Sequence, residues 1–254
     1  MKKLREKIRN MSIRKKIVFY MYVVLIPLLL IICIAATVYR YRESREEYAR
    51  LQRQNIYSLQ SSLDIIEEDV RNLSLNLAIN DDIRSILTAD DPEAVSRDVR
   101  LWQNIAPMRM VEDIIALKGY IKTLSVYPEN GVTPYLRCMD ASSYISTLEE
   151  ISATGTYRQA KALLGKGLWV YAPHGSGEIY QGSRSDKLVL VRAIYNTAKS
   201  QMLGYATIGI SLETIENLCR NALQSEKEAV LLYEKNGGGL LVCGNIEEEL
   251  HQYI

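Results

Sequence analysis

The spacing of apolar residues changes along the chain, and each change predicts a different element. From Ile17 to Tyr39 the residues are almost all apolar and none is charged. At 1.5 Å per residue this run makes about 35 Å of helix, which exceeds the roughly 30 Å hydrocarbon core of a bilayer. A secretion signal has a shorter apolar region and a small-residue cleavage site, whereas this run ends in TVYRYR. The pattern therefore predicts an uncleaved transmembrane helix, in which Pro27 is tolerated.

A heptad repeat follows the apolar run. Its seven apolar residues are separated alternately by three and four positions: Ile56, Leu59, Leu63, Ile66, Val70, Leu73 and Leu77. Neither Gly nor Pro occurs between Pro27 and Pro92, so a nearly continuous helix to about Leu87 is predicted. This seam fits two arrangements equally well. It could be the interface of a signalling dimer, or an amphipathic helix packed on its own domain.

A second helical region and then a series of strands are predicted further along. Asp90 or Asp91 can cap a helix start at Pro92, and Gly119 can end the helical region as a left-handed cap. YIKTLSVY alternates and predicts a strand over 120–127. LWVYAP, KLVLVRAIY and MLGYATIGI predict an antiparallel meander.

Two further elements complete the pattern. SLETIENLCRNAL predicts a closing helix capped by Ser211, and AVLLYEKNGGGLLVCG predicts a hairpin with a Gly-rich turn. The order of elements predicts an α+β fold, in which a transmembrane helix continues into a long extracellular helix followed by an antiparallel sheet.

Charge fixes the expected orientation. Eight Lys and Arg residues and one acid precede or enter the apolar run, which predicts a cytoplasmic amino terminus and extracellular residues 40–254. The whole chain carries a formal charge of +1, but the residues after Tyr39 hold 23 basic against 29 acidic side chains. A mildly acidic exported part argues against nucleic acid as a partner.

Reactive side chains are few. Cys33 lies in the span, while Cys138, Cys219 and Cys243 are far apart in sequence, which favours buried free thiols, with a Cys138–Cys219 bridge as the alternative. His174 and His251 are isolated, so no metal site is expected. No phosphate-binding, nucleophile-elbow or zinc-protease motif occurs. We therefore expect neither catalytic residues nor a cofactor, and the sequence assigns no enzyme activity to these residues.

The order of elements and several phrases resemble a known receptor family. SIRKKI leads into a Pro-containing span, LSLNLAINDDIRSIL lies on the long helix, and LGYATIGISLETIENL closes the strands. These resemble the extracellular double Cache, PAS-like sensor regions of bacterial sensor histidine kinases of the YesM type. The resemblance implies a membrane-distal and a smaller membrane-proximal unit, then a second span, a phospho-accepting histidine and an ATP-binding domain. None of the last three occurs in these residues, so we expect an amino-terminal fragment or a truncated product.

The resemblance also implies domain boundaries. Residues 1–16 are a basic cytoplasmic tail, 17–39 the transmembrane helix and 40–90 a long extracellular stalk helix. Residues 91–224 are a membrane-distal Cache sensor domain, and 225–254 are the incomplete start of a membrane-proximal subdomain.

A ligand pocket is expected in the distal unit. In amino-acid-binding members of the family, an Arg stands two residues before a Trp-Tyr pair, but Arg158 precedes Trp169 by eleven residues and Val170 follows it. An amino-acid ligand is therefore not implied. Strand geometry suggests another set of lining residues: Tyr127, Asp140, Trp169, Tyr171 and Arg192. Each has an alternative role, because Trp169 and Tyr171 could be core residues and Arg192 could serve a structural ion pair.

Three functions fit these observations. The first is the ligand-sensing region of a two-component histidine kinase, with the bilayer, a small extracellular ligand and a second copy as partners. A response regulator would be reached only through cytoplasmic domains. The second is the sensor region of a chemotaxis receptor or a membrane-bound AraC-type regulator. The third is a stand-alone anchored binding protein.

Overall fold

The computed structural model describes residues 12–97, 101–139, 144–173, 180–181, 185–196, 198, 200–223, 225, 228–233 and 239–244. The helices are α1 (Ile13–Ile79), α2 (Asp81–Leu87), α3 (Pro92–Ser96), α4 (Leu101–Asn104), α5 (Ala106–Leu117), α6 (Leu148–Ser152), α7 (Gly155–Ala162) and α8 (Leu212–Ala222). The strands are β1 (Ile121–Pro128), β2 (Tyr135–Cys138), β3 (Tyr144–Ile145), β4 (Leu168–Ala172), β5 (Tyr180–Gln181), β6 (Lys187–Asn196), β7 (Gln201–Ser211), β8 (Ala229–Tyr233) and β9 (Gly239–Gly244). The predicted α+β composition is confirmed.

The chain divides into two compact units, residues 1–56 and 57–254. The described part of the first unit is helical and includes the apolar run with Pro27 inside the helix. Over an 18-residue window its mean hydropathy is 3.0, and none of that window is buried. By length and composition this segment can cross a bilayer.

The second unit contains a five-stranded antiparallel sheet with strand order β2-β1-β7-β6-β4. The predicted meander is confirmed, because β4, β6 and β7 are neighbours in that order. The early strand β1 then pairs with the last strand of the meander, β7, from Ile121 to Pro128. This pairing, which joins distant parts of the chain, makes β7 the central strand.

The heptad seam of α1 packs into the core of its own domain. Val70 and Leu77 are fully buried and Leu73 is 2% exposed, whereas Ile56 at the amino-terminal end of the seam is 58% exposed. From Leu59 onward the seam joins the cluster formed by α5, α8 and one face of the sheet. The packing alternative accounts for these residues.

The predicted helix to Leu87 is interrupted at Asn80. The Oδ1 of Asn80 accepts hydrogen bonds from the backbone N–H of Asp82 at 2.9 Å and of Ile83 at 3.3 Å. A side chain that caps the next helix takes an extended backbone at its own position, so α1 ends and α2 begins here. Asp91 caps α3, because its Oδ1 accepts a hydrogen bond from the N–H of Ala94 at 3.0 Å, and this confirms the predicted cap.

Two predicted caps are wrong in detail. Gly119 does not take the left-handed conformation; α5 ends at Leu117 with Lys118 as its C-cap, and a turn leads into β1. Ser211 stands at the cap of α8, but its side chain makes no capping hydrogen bond. Ser211 is also the last residue of β7, and it is held by its backbone N–H, which donates to Tyr120 O. The strand thus runs directly into the helix.

Candidate functional site

The sheet of the second unit has two chemically different faces. Residues that pair across antiparallel strands point to the same side, so the register assigns each side chain to a face. The helix face lies against α1 and α5 and includes Leu124, Val126, Leu190, Ala206 and Ile208. The other face, called the polar face, carries Thr123, Ser125, Tyr127, Lys187, Tyr205 and Thr207 together with the apolar residues Val189 and Val191.

The polar face is buried. Thr207 and Lys187 are fully buried, and Ser125 is 1% exposed. The hydroxyls of Ser125 and Thr207 lie 2.5 Å apart across β1 and β7 and share a hydrogen bond. Lys187 Nζ donates to the Oγ and carbonyl O of Ser185 at 3.0 and 3.2 Å. Burying polar groups is costly unless they are hydrogen-bonded, and these hydrogen bonds offset that cost for Ser125, Thr207 and Lys187.

Two short helices cover this face. Ile151 on α6 and Ala160 on α7 are buried in a second apolar cluster with Val189 and Val191 of β6. Thr147 begins α6 with a capping box in which its hydroxyl accepts from the N–H of Glu150 and its own N–H donates to the Glu150 carboxylate. The cover is therefore regular structure with its own apolar contacts to the sheet.

A cluster of three tyrosines joins the cover to the sheet. The ring of Tyr205 lies 5.3 Å from that of Tyr157 on α7 and 6.4 Å from that of Tyr127 on β1. The hydroxyl of Tyr157 donates to the carboxylate of Glu129, just after β1. Burial and this carboxylate both raise the pKa of Tyr157 above its usual range. A neutral phenol bound to a carboxylate thus holds α7 over the polar face.

One buried hydroxyl near this cover is notable. Ser146, between β3 and α6, is 2% exposed, and its Oγ has no hydrogen-bond partner among the described residues. Buried polar atoms normally have a hydrogen-bond partner, and this unsatisfied hydroxyl directly precedes Thr147, which caps α6 of the cover.

The structure separates the residues predicted to line a pocket. Tyr127 lies on the polar face. Trp169 pairs with Leu190 and packs on the apolar cluster of the helix face, and Tyr171, two residues further along β4, shares that face. Arg192 pairs with Ala206 and also lies there. Asp140 lies outside the described residues.

Arg192 connects the sheet to α1. Its Nε donates to Ser74 Oγ at 3.0 Å and its Nη1 to Gly165 O at 2.5 Å. Burial lowers the pKa of Arg192, and the charge of Arg71 acts in the same direction. The partners of this guanidinium are neutral oxygens, in place of the predicted ion pair. Tyr171 donates to Asp186 at 2.7 Å at an exposed position.

Sequence reasoning missed Thr123, Ser125, Lys187 and Thr207. The sequence does contain a signal for this polar face, because Thr123, Ser125 and Tyr127 alternate with apolar residues along β1. Alternation usually indicates a strand with one wet face, but here both phases are buried. The burial of the polar phase depends on α6 and α7, which are distant in sequence.

A groove of about 300 Å³ lies on the other side of the sheet, beside α2 and α5. Its polar lining includes Asn80 and Asp82, and Asn80 is already engaged in capping α2. Within the described ranges no three His, Cys, Asp or Glu side chains are grouped to hold a metal ion, and His174 and His251 lie outside those ranges.

Comparisons with known proteins give structural neighbours only. No protein-family model matches the chain, and no curated protein matches it. Among solved structures, the ligand-binding domain of the Campylobacter jejuni chemoreceptor Tlp3, in complex with L-norvaline, matches with a TM-score of 0.50 and 14% identity, over 81% of this chain and 72% of that one. The Vibrio cholerae LuxQ periplasmic domain matches with a TM-score of 0.43 and 18% identity, over 77% and 78%. The ligand-binding domain of the Pseudomonas fluorescens chemoreceptor CtaA, in complex with L-isoleucine, matches with a TM-score of 0.37 and 14% identity, over 70% of each chain.

The fold is α+β and of the Cache, PAS-like type. The fold assignment rests on the Tlp3 domain, together with the long amino-terminal helix and the five-stranded antiparallel sheet. The predicted fold class is thereby confirmed.

Proposed function

We propose that this chain is the membrane-anchored, extracellular ligand-sensing region of a two-component sensor histidine kinase. The observation that carries the proposal is the buried polar face covered by α6 and α7. A concave or covered surface with a few placed hydroxyls among aromatic rings is the usual chemistry of a small-molecule site. The phosphotransfer output belongs to cytoplasmic domains outside these residues, and the domain boundaries predicted from the sequence are part of the proposal.

The anchoring and orientation follow from residues 1–39. The apolar run of α1 has the length and hydropathy of a membrane span. Lys and Arg residues on its amino-terminal side support a cytoplasmic tail and an extracellular second unit.

The proposed ligand is a small polar molecule. The hydroxyls of Ser125 and Thr207, the phenol of Tyr127 and the ammonium group of Lys187 lie on one surface and supply both donors and acceptors. Such groups suit a ligand with hydroxyl, carbonyl or carboxylate oxygens. The Tlp3 and CtaA domains were solved with amino acids, so amino acids belong in any screen.

The proposed signal passes from the polar face through the sheet to α1. On the opposite face, Arg192 donates a hydrogen bond to Ser74 of α1. Arg192 lies two residues after Leu190 on β6, and Leu190 belongs to the core that the sheet shares with α1. A ligand changes the packing of α1 only if it binds one arrangement of the domain more tightly than the other. We propose that the bound ligand selects one of two packings of α1 on the sheet.

A melting screen of the full chain in detergent tests the site. Sugars, organic acids, amino acids and short peptides are added singly, and a ligand is recognised by a rise in Tm. Thr207→Val should remove the rise, because it deletes a hydroxyl of the polar face. Thr133→Val, at an exposed position, is the matched control and should keep it. A Tm rise that survives Thr207→Val at full size would overturn the placement of the site.

The choice of kinase is tested separately. The full-length gene product in membrane vesicles is incubated with labelled ATP, with and without the identified ligand. Ligand-dependent phosphorylation of a histidine supports the kinase. A methylated coiled coil or DNA-binding helices fused to this region, with no phosphorylation, would contradict it in favour of a chemotaxis receptor or a transcription regulator.

A further inference from the structure

Two cysteine residues meet between α8 and the β8–β9 hairpin. Cys219 on α8 is fully buried, and Cys243 on β9 is 2% exposed. Both belong to the apolar cluster of the helix face, and α8 packs directly on β9. The two thiols interact with each other. Cysteines distant in sequence are thus brought together by the fold.

The hairpin needs such an attachment. Among the described residues its strands pair only with each other, and an isolated two-stranded hairpin is marginally stable in water. Val230 and Leu232 are only partly buried against the core. Of the hairpin side chains whose burial is described, that of Cys243 is the most deeply buried.

We infer that Cys219 and Cys243 form an intramolecular disulfide in the exported protein, and that this bond fastens the hairpin to α8. The inference rests on the extracellular location proposed above, because cytosolic thiols are kept reduced. Two S–H bonds break and one S–S bond forms. The two electrons and two protons pass to a disulfide oxidant, which is reduced to two thiols.

The bond forms while the chain folds. Burial, reinforced by Cys243, raises the pKa of the Cys219 thiol to about 12. The thiolate is the species that attacks a disulfide, so in the folded reduced protein the reaction at neutral pH is very slow. Before α8 and the hairpin pack, both thiols are open to the oxidant. The same burial then protects the finished bond from reductants.

The third cysteine of the second unit is placed differently. Cys138 on β2 pairs with Thr123 of the polar face, whereas Cys219 lies in the cluster of the helix face. The Cys138–Cys219 bridge considered from the sequence would join opposite sides of the sheet. The structure thus gives Cys219 a different neighbour, and Cys138 serves as the control.

The test counts oxidised thiols in the full chain. Membranes are quenched in acid, the protein is denatured, free thiols are blocked with N-ethylmaleimide, and disulfides are then reduced and labelled with a maleimide-polyethylene glycol. Two labels are expected in the unmodified chain and in Cys138→Ser. The double variant Cys219→Ser with Cys243→Ser should carry none. Without prior denaturation, dithiothreitol should leave the two labels unchanged.

Two further experiments test the extracellular location and the disulfide independently of each other. In intact spheroplasts, a membrane-impermeant maleimide should label Leu117→Cys, which is 83% exposed. If it does and the unmodified chain has no oxidised thiols, the disulfide is overturned. If Leu117→Cys is not labelled, the proposed location fails. The purified chain is then refolded in a reduced and oxidised glutathione mixture, where absence of the Cys219–Cys243 bond overturns the pairing itself.

Discussion

The hydroxyl of Tyr120 donates a 2.5 Å hydrogen bond to Oδ2 of Asp69, and so joins the residue before β1 to α1. Lys118 Nζ donates to the same oxygen at 2.6 Å. Burial alone would raise the pKa of Asp69, but the two hydrogen bonds and the charge of Lys118 outweigh it and lower the pKa. Burial and the neighbouring carboxylate raise the pKa of Tyr120. This triad is a second attachment of the sheet to α1, separate from Arg192.

Asp69→Asn should therefore make the free energy of unfolding less dependent on pH between pH 7 and pH 3. The folded pKa of Asp69 lies below its unfolded value of about 3.8, so its contribution is present above that pH and is lost as the pH falls through the folded pKa. Near pH 7 we expect a loss of about 1 kcal/mol, a modest value because Asp69 and Lys118 are partly exposed to water. Chemical denaturation of the full chain between pH 7 and pH 3 measures the difference in free energy of unfolding between the unmodified protein and Asp69→Asn. This difference should decrease towards zero as the pH falls to 3.

Tyr120→Phe should cost a similar amount near neutral pH. Because the folded pKa of Tyr120 is raised, its contribution is present below about pH 10 and is lost as the pH rises through the folded pKa. Tyr57→Phe is the matched control, since Tyr57 lies on α1, as Asp69 does, and is 70% exposed. Equal stabilities of Tyr120→Phe and Tyr57→Phe at pH 7 would contradict the attachment.

The Tyr120–Asp69 hydrogen bond belongs to a set of tyrosine–carboxylate pairs in this chain. The chain has 17 Tyr and only one Phe. In the part of the chain that the structure describes, tyrosine hydroxyls donate to carboxylates in these pairs: Tyr120 to Asp69, Tyr135 to Glu112, Tyr157 to Glu129 and Tyr171 to Asp186. Burial and the carboxylate raise the pKa of Tyr171 to about 12. In each pair the hydroxyl bonds to a charged group that a Phe could not satisfy, and the rings of Tyr135 and Tyr157 are also buried.

Local sequence patterns predicted the type of each element better than the surroundings of each of its faces. The periodicities of Leu59 to Leu77 and of the strands gave the correct element types because each reflects burial of one side. The pairing of β1 with β7 and the two-sided burial of the sheet join residues some eighty positions apart, as Ser125 and Thr207 do. No local period carries that information. The strand pattern therefore suggests Arg192 and Tyr127 as lining residues of one pocket, whereas the register puts these two side chains on opposite faces of the sheet.

Gly204→Ala should destabilise the second unit by about 1–3 kcal/mol. A Cβ at Gly204 would stand 2.8 Å from the backbone O of Tyr127 and 3.1 Å from Leu87 Cδ2. The backbone oxygen belongs to the central pairing of β1 and β7 and cannot move away without breaking it. The strand therefore needs a glycine at this point of close approach.

Gly119→Ala is the control for that prediction. A Cβ at Gly119 meets nothing within 4 Å, and Gly119 is not in the left-handed conformation. Alanine should be neutral there or stabilising by about 0.4–1 kcal/mol, because it restricts the unfolded chain. Thermal unfolding measures the Tm of both variants. Equal Tm values for Gly204→Ala and Gly119→Ala would refute the steric argument.

Arg192→Ala should lower stability by about 2–4 kcal/mol, because it leaves a cavity and removes the donors to Ser74 Oγ and Gly165 O. Arg97→Ala, at an exposed position, is the control and should have little effect. Denaturation midpoints of the full chain measure both. If Arg192→Ala kept its stability and lost a ligand-induced Tm rise, Arg192 would instead be a ligand residue, as the sequence suggested.

The last prediction concerns the homodimer expected from the sequence and the face of α1 that could form it. The heptad seam is occupied by the core, and Ile66 is 8% exposed. Another stripe of α1 remains open, with Ile65 and Ile79 each 56% exposed and Leu75 44% exposed. Its spacings of ten and four positions follow a heptad pattern, so a dimer of α1 helices is expected to meet at Ile65.

Neighbouring cysteine substitutions distinguish the two faces at the same level of the helix. Under mild oxidation in membranes, Ile65→Cys should form a cross-linked dimer, whereas Ile66→Cys should not, because its thiol points into its own domain. Both variants are made with the native cysteines replaced by serine. Cross-linking at Ile66 but not at Ile65 would mean that the seam itself leaves the core to pair. Absence at both positions, with Leu75→Cys also negative, would remove the dimer from the proposed receptor.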